Sequence, residues 1–569
     1  MGKKKQKISA ESFKEQGNKA FNNNDLDRAL LLYTKGLELE PNHAVLYSNR
    51  SAVYIAQNKY EEALADASKS ISLDTSYMKA DFRKVSALTE LSRFEEALAV
   101  ITEALSIQPN FSELLELKKE IEEELRALNV LPLDHPERVK FNNLVNWLKS
   151  GNSEFPKLEM RFYSQDYRGV HCTSFAHKDE CLLFVPKSHI ITLEMAKATP
   201  IGSKMVQADL DLLSPKHCFL TTFILQERRI PNSFWEPYLN ILPEKLANFP
   251  IFFTDDEKAW LEGSPFLDQV NEKISDIQED YGTICRAVPE YSQFPIEEFS
   301  KVRMAVSSRI FGMVIDSEKT DGFVPLADML NHRRPRQTSW NYDQDKGGFI
   351  IEALENIKRG EEVLDSYGKK CNSRFLLNYG FINRNNDANE YPFKVVLTEK
   401  HEGFAVKNNL IGTKSQTFRL QTDLYEPVFN EFLSTMRFVE LDDMLKIPEL
   451  LHKCQDEKGL FKSTKVPPIS LQNEVKVIEK LREMALEGMA KYPNTLEEDA
   501  EILKGELTEN QRNCTLMRQG EKIILKFFIE LTEFVLPLFS LSIKQIKQKS
   551  KNSNFEEYIN NSLLVLKKQ

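Results

Sequence analysis

Nowhere in the 569 residues do about 18 apolar side chains follow one another, so no segment reads as a membrane span. The opening "MGKKKQKISAES" has lysines but no apolar stretch, which argues against a signal peptide and for a solvated tail. Gly2 is followed at position six by Gln6 rather than Ser or Thr, which argues against myristoylation. Cysteine is sparse: Cys172, Cys181, Cys218, Cys285, Cys371, Cys454 and Cys514 are scattered, odd in number and never spaced C-x-x-C. Neither a disulfide framework nor a bound metal is expected, and a reducing compartment, cytoplasm or nucleus, fits. Positive charge is also short, with 75 Lys and Arg against 85 Asp and Glu. A nucleic-acid coat would be basic, so neither nucleic acid nor membrane is an expected partner. At roughly 150 residues per domain the length predicts three or four domains.

A repeat opens the chain. "NNDLDRALLLYTKGLELEP", "QNKYEEALADASKSISLDT" and "LSRFEEALAVITEALSIQP" place Ala29, Ala63 and Ala97 at a constant spacing of 34. Leu26, Tyr60 and Phe94 keep that spacing, as do Leu37, Ile71 and Leu105. A fixed 34-residue period with a small residue at one place predicts stacked helical hairpins: the alanine lets two helices approach, and the larger residue fills the turn between them. Gly17 and Ser51 are small residues at matching places, and "FSELLELKKEIEEELRAL" (Phe111 to Leu128) reads as the charged helix that caps a solenoid. Residues 8–111 resemble the tetratricopeptide repeat. One subclass of that family grips a terminal carboxylate with five side chains. Counted from Ala10, Ala44 and Met78, the matching positions are Lys14, Asn18, Asn49, Lys79 and Arg83. The resemblance implies a clamp for the acidic C-terminal peptide of a chaperone.

The middle of the chain changes character. "YRGVHCTSFAHKDECLLFVP" alternates apolar and polar residues and predicts a β-hairpin. Helical patterns run from Thr192 to about Phe311; strand patterns return in "GFVPLADML", "GGFIIEALENI" and "EEVLDSYG", with "KRGEE" as a turn. Read singly, Asn331-His332 is a turn and Tyr367 a strand end. Read together, "RGVHC…LLFVP", "SFWEPYLNILP", "VSSRIFG", "PLADMLNH" and "GEEVLDSYGKKCNSRFLLNYGF" resemble, in order and separation, a SET-domain methyltransferase of the branch that contains the Rubisco large-subunit lysine and actin-histidine enzymes.

The resemblance implies a multidomain α+β protein: an N-terminal α-solenoid (8–130), a β-rich SET domain (131–390) with a helical insertion at about 192–311, and a helical substrate-binding-like domain (391–565). In SET folds the segment after Asn-His crosses the segment that carries the tyrosine. That implies Tyr367 as the catalytic residue. Arg168, Arg309, Asp328, Asn331, His332, Tyr379 and Phe381 are implied as contacts of S-adenosylmethionine, with Tyr379 and Phe381 lining the channel and adenine side. Trp340 or Tyr342 of "SWNYD" is implied at the substrate mouth. Cys371 reads as a packed residue rather than a nucleophile. Two departures stand out. The first cofactor segment, "DYRGV", has only Gly169, which leaves the roles of Asp166 to Arg168 open, and the cysteine-rich segment of the histone enzymes is missing. The resemblance implies methylation of a protein lysine, favoured over histidine by Phe311 and Tyr379. Histidine methylation is one alternative. A non-catalytic adaptor with a decayed SET fold is another.

Overall fold

The computed structural model describes residues 9–91, 93–128, 135–164 and 167–568, except for the side chains of Glu95 and of residues 122–128. The basic tail, residues 129–134 and Asp166 lie outside the described residues. The chain forms two compact units. One joins residues up to Thr192 with Ile230–Ile241 and Ile310–Tyr367; the other joins Leu193–Arg229, Leu242–Arg309 and Gly368 onward.

In the first unit three helical hairpins come first: α1 (Ala10–Asn22) with α2 (Leu26–Leu39), α3 (Ala44–Ala56) with α4 (Tyr60–Leu73), and α5 (Met78–Glu90) with α6 (Phe94–Ile107), followed by α7 (Ser112–Leu128). The repeat alanines Ala29, Ala63 and Ala97 are fully buried, and Ser51 Oγ donates to the Ala63 carbonyl at 2.8 Å. A side chain on Gly17 would run into the Tyr33 ring. The period therefore follows from close helix contact. α3 also touches both α1 and α5, so the first helices of the hairpins follow one another along the array.

After α8 (Pro136–Ser150) come β1 (Leu158–Phe162), β2 (Arg168–Cys172), β3 (Cys181–Pro186), β4 (Ile191–Thr192), β5 (Phe311–Ile315), β6 (Glu318–Phe323), β7 (Asn331–His332), β8 (Thr338–Asp343), β9 (Gly348–Ala353) and β10 (Leu364–Asp365). They form small sheets ordered β1-β2, β3-β9-β8, β4-β6-β5 and β10-β7. The expected hairpin within "YRGVHCTSFAHKDECLLFVP" is absent. β2 pairs back on β1, with Gly169 opposite Arg161, and β3 pairs with β9, with Phe184 opposite Ile350. Alternation predicts a strand but not its partner, and apolar partners lay elsewhere in the chain. "GFVPLADML" is strand only as far as Phe323. Pro325 supplies no amide hydrogen, Leu326 turns the chain at φ +73°, and Ala327–Met329 is a short 3₁₀ helix.

In the second unit the regular elements of the insertion are helices, Phe266–Ala287 and Ile296–Arg309 among them. The C-terminal part is helix-rich, with Leu471–Met489 and Glu509–Val535 as its long members. It also holds a two-stranded sheet, β11 (Tyr391–Val396) with β12 (Ser415–Leu420), which the sequence patterns did not reveal. Phe393, Phe432 and Phe528 pack ring to ring within its core. No helix among the described residues is long and apolar enough to cross a membrane.

Candidate active site

The site in the first unit is built where β7 lies parallel to β10, with Asn331 opposite Leu364 and His332 opposite Asp365. The chain leaves β7, makes the β8–β9 hairpin, and returns beside it. Gln337 holds the returning strand, its Oε1 accepting from the Leu364 amide at 2.8 Å, and Thr338 Oγ1 donates to the Leu364 carbonyl at 3.0 Å. The Arg333 amide donates to the Asp365 carbonyl at 2.8 Å. The crossing expected between the Asn-His and tyrosine segments is this pairing.

Tyr367 is tethered at both ends. Its amide donates to His332 Nδ1 at 3.0 Å, and its hydroxyl donates to the Leu330 carbonyl at 2.8 Å. The two rings stack, centroids 5.1 Å apart at 25°. A hydrogen bond accepted at Nδ1 leaves the proton of a neutral His332 on Nε2. Asn331 Nδ2 donates twice, to the Arg168 carbonyl at 2.9 Å and to Glu362 Oε1 at 2.7 Å.

Arg168 and Asp328 join the same region through the segment Ile230–Ile241. The Arg168 guanidinium lies 4.5 Å from the Phe141 ring centroid and donates to the Ile241 carbonyl at 3.1 Å. Asp328 is buried, and Tyr238 donates to its Oδ2 at 2.9 Å. Trp340 stacks on Phe349 at 5.6 Å and meets the edge of Phe311 at 5.2 Å. It also donates to Asp365, whose carboxyl is pushed up by burial. Tyr342, two residues along β8, instead lies by the exposed Lys187–Asp316 pair. Trp340 is thus tied to the residues beside Tyr367, and Tyr342 to the turn after β5.

Arg309, Tyr379 and Phe381 belong to the second unit. Arg309 ends the helix Ile296–Arg309. Tyr379, Phe381 and Phe375 form an aromatic group in which Phe375 and Phe381 stack at 5.0 Å. Burial pushes the Tyr379 hydroxyl up. Gly380 separates Tyr379 from Phe381 in the left-handed region at φ +77°, where a side chain would also meet Asn248. Burial pushes the Cys371 thiol up, away from the thiolate a nucleophile needs. Among the described residues no group of three or more His, Cys, Asp and Glu could hold a metal ion.

The repeat array carries the second set of residues, with Lys14 and Asn18 on α1, Asn49 on α3, and Lys79 and Arg83 on α5. Asn18 Oδ1 accepts from Tyr33 Oη at 2.7 Å and from Asn49 Nδ2 at 3.0 Å, which leaves its Nδ2 as the donor to present. The charges of Lys14 and Arg83 both act on the half-buried Tyr77 hydroxyl, and that of Lys79 on Glu113. Burial holds the Arg83 guanidinium below its ordinary value.

Sequence reasoning passed over Glu362, Tyr163 and His171. Glu362 lay inside a segment read as a turn and strand, and His171 inside "RGVHC". No short-range pattern marks either residue as a neighbour of Asn331.

Comparison with known proteins fits this geometry. Residues 167–368 match the SET domain family, residues 391–525 the Rubisco LSMT substrate-binding family, and residues 32–65 the tetratricopeptide repeat. These matches place a tetratricopeptide repeat, a SET domain and a Rubisco LSMT substrate-binding region along the chain in that order. Its likeness is to a particular branch. The actin-histidine N-methyltransferases of Homo sapiens and Gallus gallus are each 25% identical, over 73% of this chain and 72% of theirs. The fold is shared with the SET domain of LSMT solved with lysine and AdoHcy, at a TM-score of 0.60 and 18% identity over 74% of this chain and 98% of that one. It is shared as well with Rubisco LSMT bound to AdoMet, at 0.58 and 20% identity over 74% of this chain and 99% of that one.

Proposed function

We propose that the chain moves a methyl group from S-adenosylmethionine to a side-chain nitrogen of a protein, a lysine first, and that its repeat groove recruits a partner with an acidic C-terminus. The observation that supports the transfer is the double tether of Tyr367 between the Leu330 carbonyl and His332. The chemistry of the donors fits the cofactor. With both Nδ2 hydrogens of Asn331 spent, its carboxamide oxygen is an acceptor for an ammonium group. The Arg168 carbonyl meets Asn331, His332 adjoins it, and Arg168, His332, Asp328, Arg309, Tyr379 and Phe381 keep the cofactor assignments that the resemblance gives them. When bound, S-adenosylmethionine supplies a methyl group activated by its sulfonium.

The chain's own part is alignment and desolvation. An ammonium has no lone pair, so a lysine nucleophile, ordinarily near pKa 10.4, must arrive neutral. An apolar channel disfavours the cation and lowers that value. The fixed Tyr367 ring forms a wall, and its hydroxyl orients the incoming nitrogen; holding reactants in line removes several kcal/mol from a barrier. Trp340 and Tyr342 are the substrate-mouth candidates.

A histidine acceptor is the second reading, favoured by the 25% identity to actin-histidine N-methyltransferases. Imidazole is already largely neutral above pH 6.5, so its rate would level off early, whereas a lysine rate would climb with alkaline pH. Full-length protein incubated with labelled cofactor and cell extract, with the labelled residue mapped by mass spectrometry, decides between the two. Failure to bind cofactor by calorimetry would instead support the non-catalytic adaptor.

For the groove, Lys14, Asn18, Asn49, Lys79 and Arg83 support a clamp for a terminal aspartate of the Glu-Glu-Val-Asp kind found on cytosolic chaperones. The free thiols suit a reducing compartment, cytoplasm or nucleus.

A further inference from the structure

We infer that Glu362, Tyr163 and His171 form a proton-sharing relay that positions Asn331 for the cofactor. The inference rests on the transferase reading above. Its starting point is one hydrogen bond with only one possible direction. His171 Nδ1 lies 2.8 Å from the Gly360 carbonyl, and a carbonyl only accepts, so Nδ1 carries a proton. The neutral ring then offers Nε2 as an acceptor, and Tyr163 Oη, 2.5 Å away, donates to it. That bond uses the only hydroxyl proton of Tyr163. Tyr163 is also hydrogen-bonded to the Glu362 carboxyl. With its proton spent it can only accept there, so Glu362 is the donor and is protonated.

The alternative arrangement keeps the same number of protons. One proton moves from Glu362 to Tyr163 as another moves from Tyr163 to His171, giving a carboxylate and an imidazolium. Burial disfavours that charge-separated form at both ends: it pushes the Glu362 carboxyl up and the His171 imidazole down. Among the described residues, the following charges and polar groups act on the three members. Arg161 and Glu159 act on His171, and Arg161 pairs with Glu159 at 2.7 Å. Arg161 and Tyr167 act on Tyr163. Asn331 and Tyr163 are the polar side chains bonded to Glu362.

The backbone is shaped around the relay. His171 and Glu362 face each other as a bridge between β2 and the returning chain, and the Val363 amide donates to Val170 at 2.7 Å. A side chain on Gly169 would overlap both Glu362 Oε1 and Tyr163 Oη. The lone glycine of "DYRGV" is therefore where the relay needs room. At its far end Glu362 Oε1 accepts from Asn331 Nδ2 at 2.7 Å, and the Arg168 carbonyl takes the other amide hydrogen. The carboxamide cannot flip without losing both bonds, so Oδ1 is held as the acceptor for the cationic end of the ligand. Glu362 is a positioning residue, and it works in its neutral form.

Calorimetry of S-adenosylmethionine binding to the full chain tests this. Absence of binding by the unaltered protein overturns the transferase reading. With binding established, Glu362→Gln supplies a neutral group that still accepts from Asn331 and donates to Tyr163, and its affinity should stay within about twofold of the parent. Glu362→Ala and Tyr163→Phe should each bind about tenfold more weakly, as one broken buried hydrogen bond predicts. As pH rises through the raised pKa of the Glu362 carboxyl the parent should lose affinity, and Glu362→Gln should lose markedly less. Melting curves check folding. A tenfold loss in folded Glu362→Gln, or parent affinity in Tyr163→Phe, overturns the relay while leaving the transferase intact.

Discussion

The Tyr367 amide and His332 Nδ1 lie 3.0 Å apart, and the two side chains stack at 25°. His332 therefore fixes the tyrosine through its backbone and its ring, while the hydroxyl is fixed separately by the Leu330 carbonyl. The two tethers can be cut one at a time.

Tyr367→Phe cuts only the hydroxyl tether. The ring stays stacked, so cofactor affinity should remain within a few-fold while turnover falls by about a hundredfold, the pattern of a group that acts in the transition state. Calorimetry and single-turnover kinetics measure the two quantities. Parent turnover in this variant would remove Tyr367 from its assigned role.

Asn331→Ala and His332→Ala act on binding. The first removes the acceptor proposed for the cofactor's ammonium group, and should weaken cofactor affinity by about tenfold or more. The second removes the acceptor for the Tyr367 amide, and should lower both affinity and turnover. Unchanged calorimetric affinity in both, with normal melting, would rule out the β7 site as the cofactor site.

How far the sequence foretold this site depended on distance along the chain. The 34-residue period gave the hairpins because each contact is local; Ala63 packs within its own repeat. Asn331, His332 and Tyr367 were legible only as an ordered set, since each alone is ordinary. The partners of β2 and β3 were misread because alternation names a buried face and not a neighbour. Glu362 and His171 escaped because they meet across 191 positions, through a bridge that no local pattern encodes.

The repeat groove gives a prediction of its own. A fluorescent peptide ending in Glu-Glu-Val-Asp should bind with micromolar affinity, roughly −8 kcal/mol, and more weakly as salt rises. Amidating its C-terminus should cost on the order of 2 kcal/mol. Lys79→Ala with Arg83→Ala should abolish binding without unfolding the array. Anisotropy titrations decide it; equal affinity of acid and amide peptides would leave the groove to some other partner.

A buried carboxyl in the second unit gives a pH prediction. Glu521 accepts from Tyr492 Oη at 2.9 Å, and burial pushes its pKa up to about 7 from 4.5. A raised pKa contributes stability that is fully present below about pH 4.5 and is lost as pH rises through 7. The loss is on the order of 3 kcal/mol by alkaline pH. Glu521→Gln cannot ionise, so its Tm should fall less than the parent's between pH 5.5 and 8.5. Equal falls in the two proteins would show that Glu521 does not titrate there.

The parallel strands β7 and β10 touch, yet 33 positions separate Asn331 from Leu364 along the chain. Closing so long a loop is paid in entropy before any bond of the site can repay it. During refolding, the β8–β9 hairpin can zip locally, and the repeat array can fold from its own neighbours. The bonds that hold Tyr367 have no local substitute and await the return of the chain. Competence to bind ligand should therefore be regained later than helical content, and a cofactor that recognises only the finished crossing would act as its clasp.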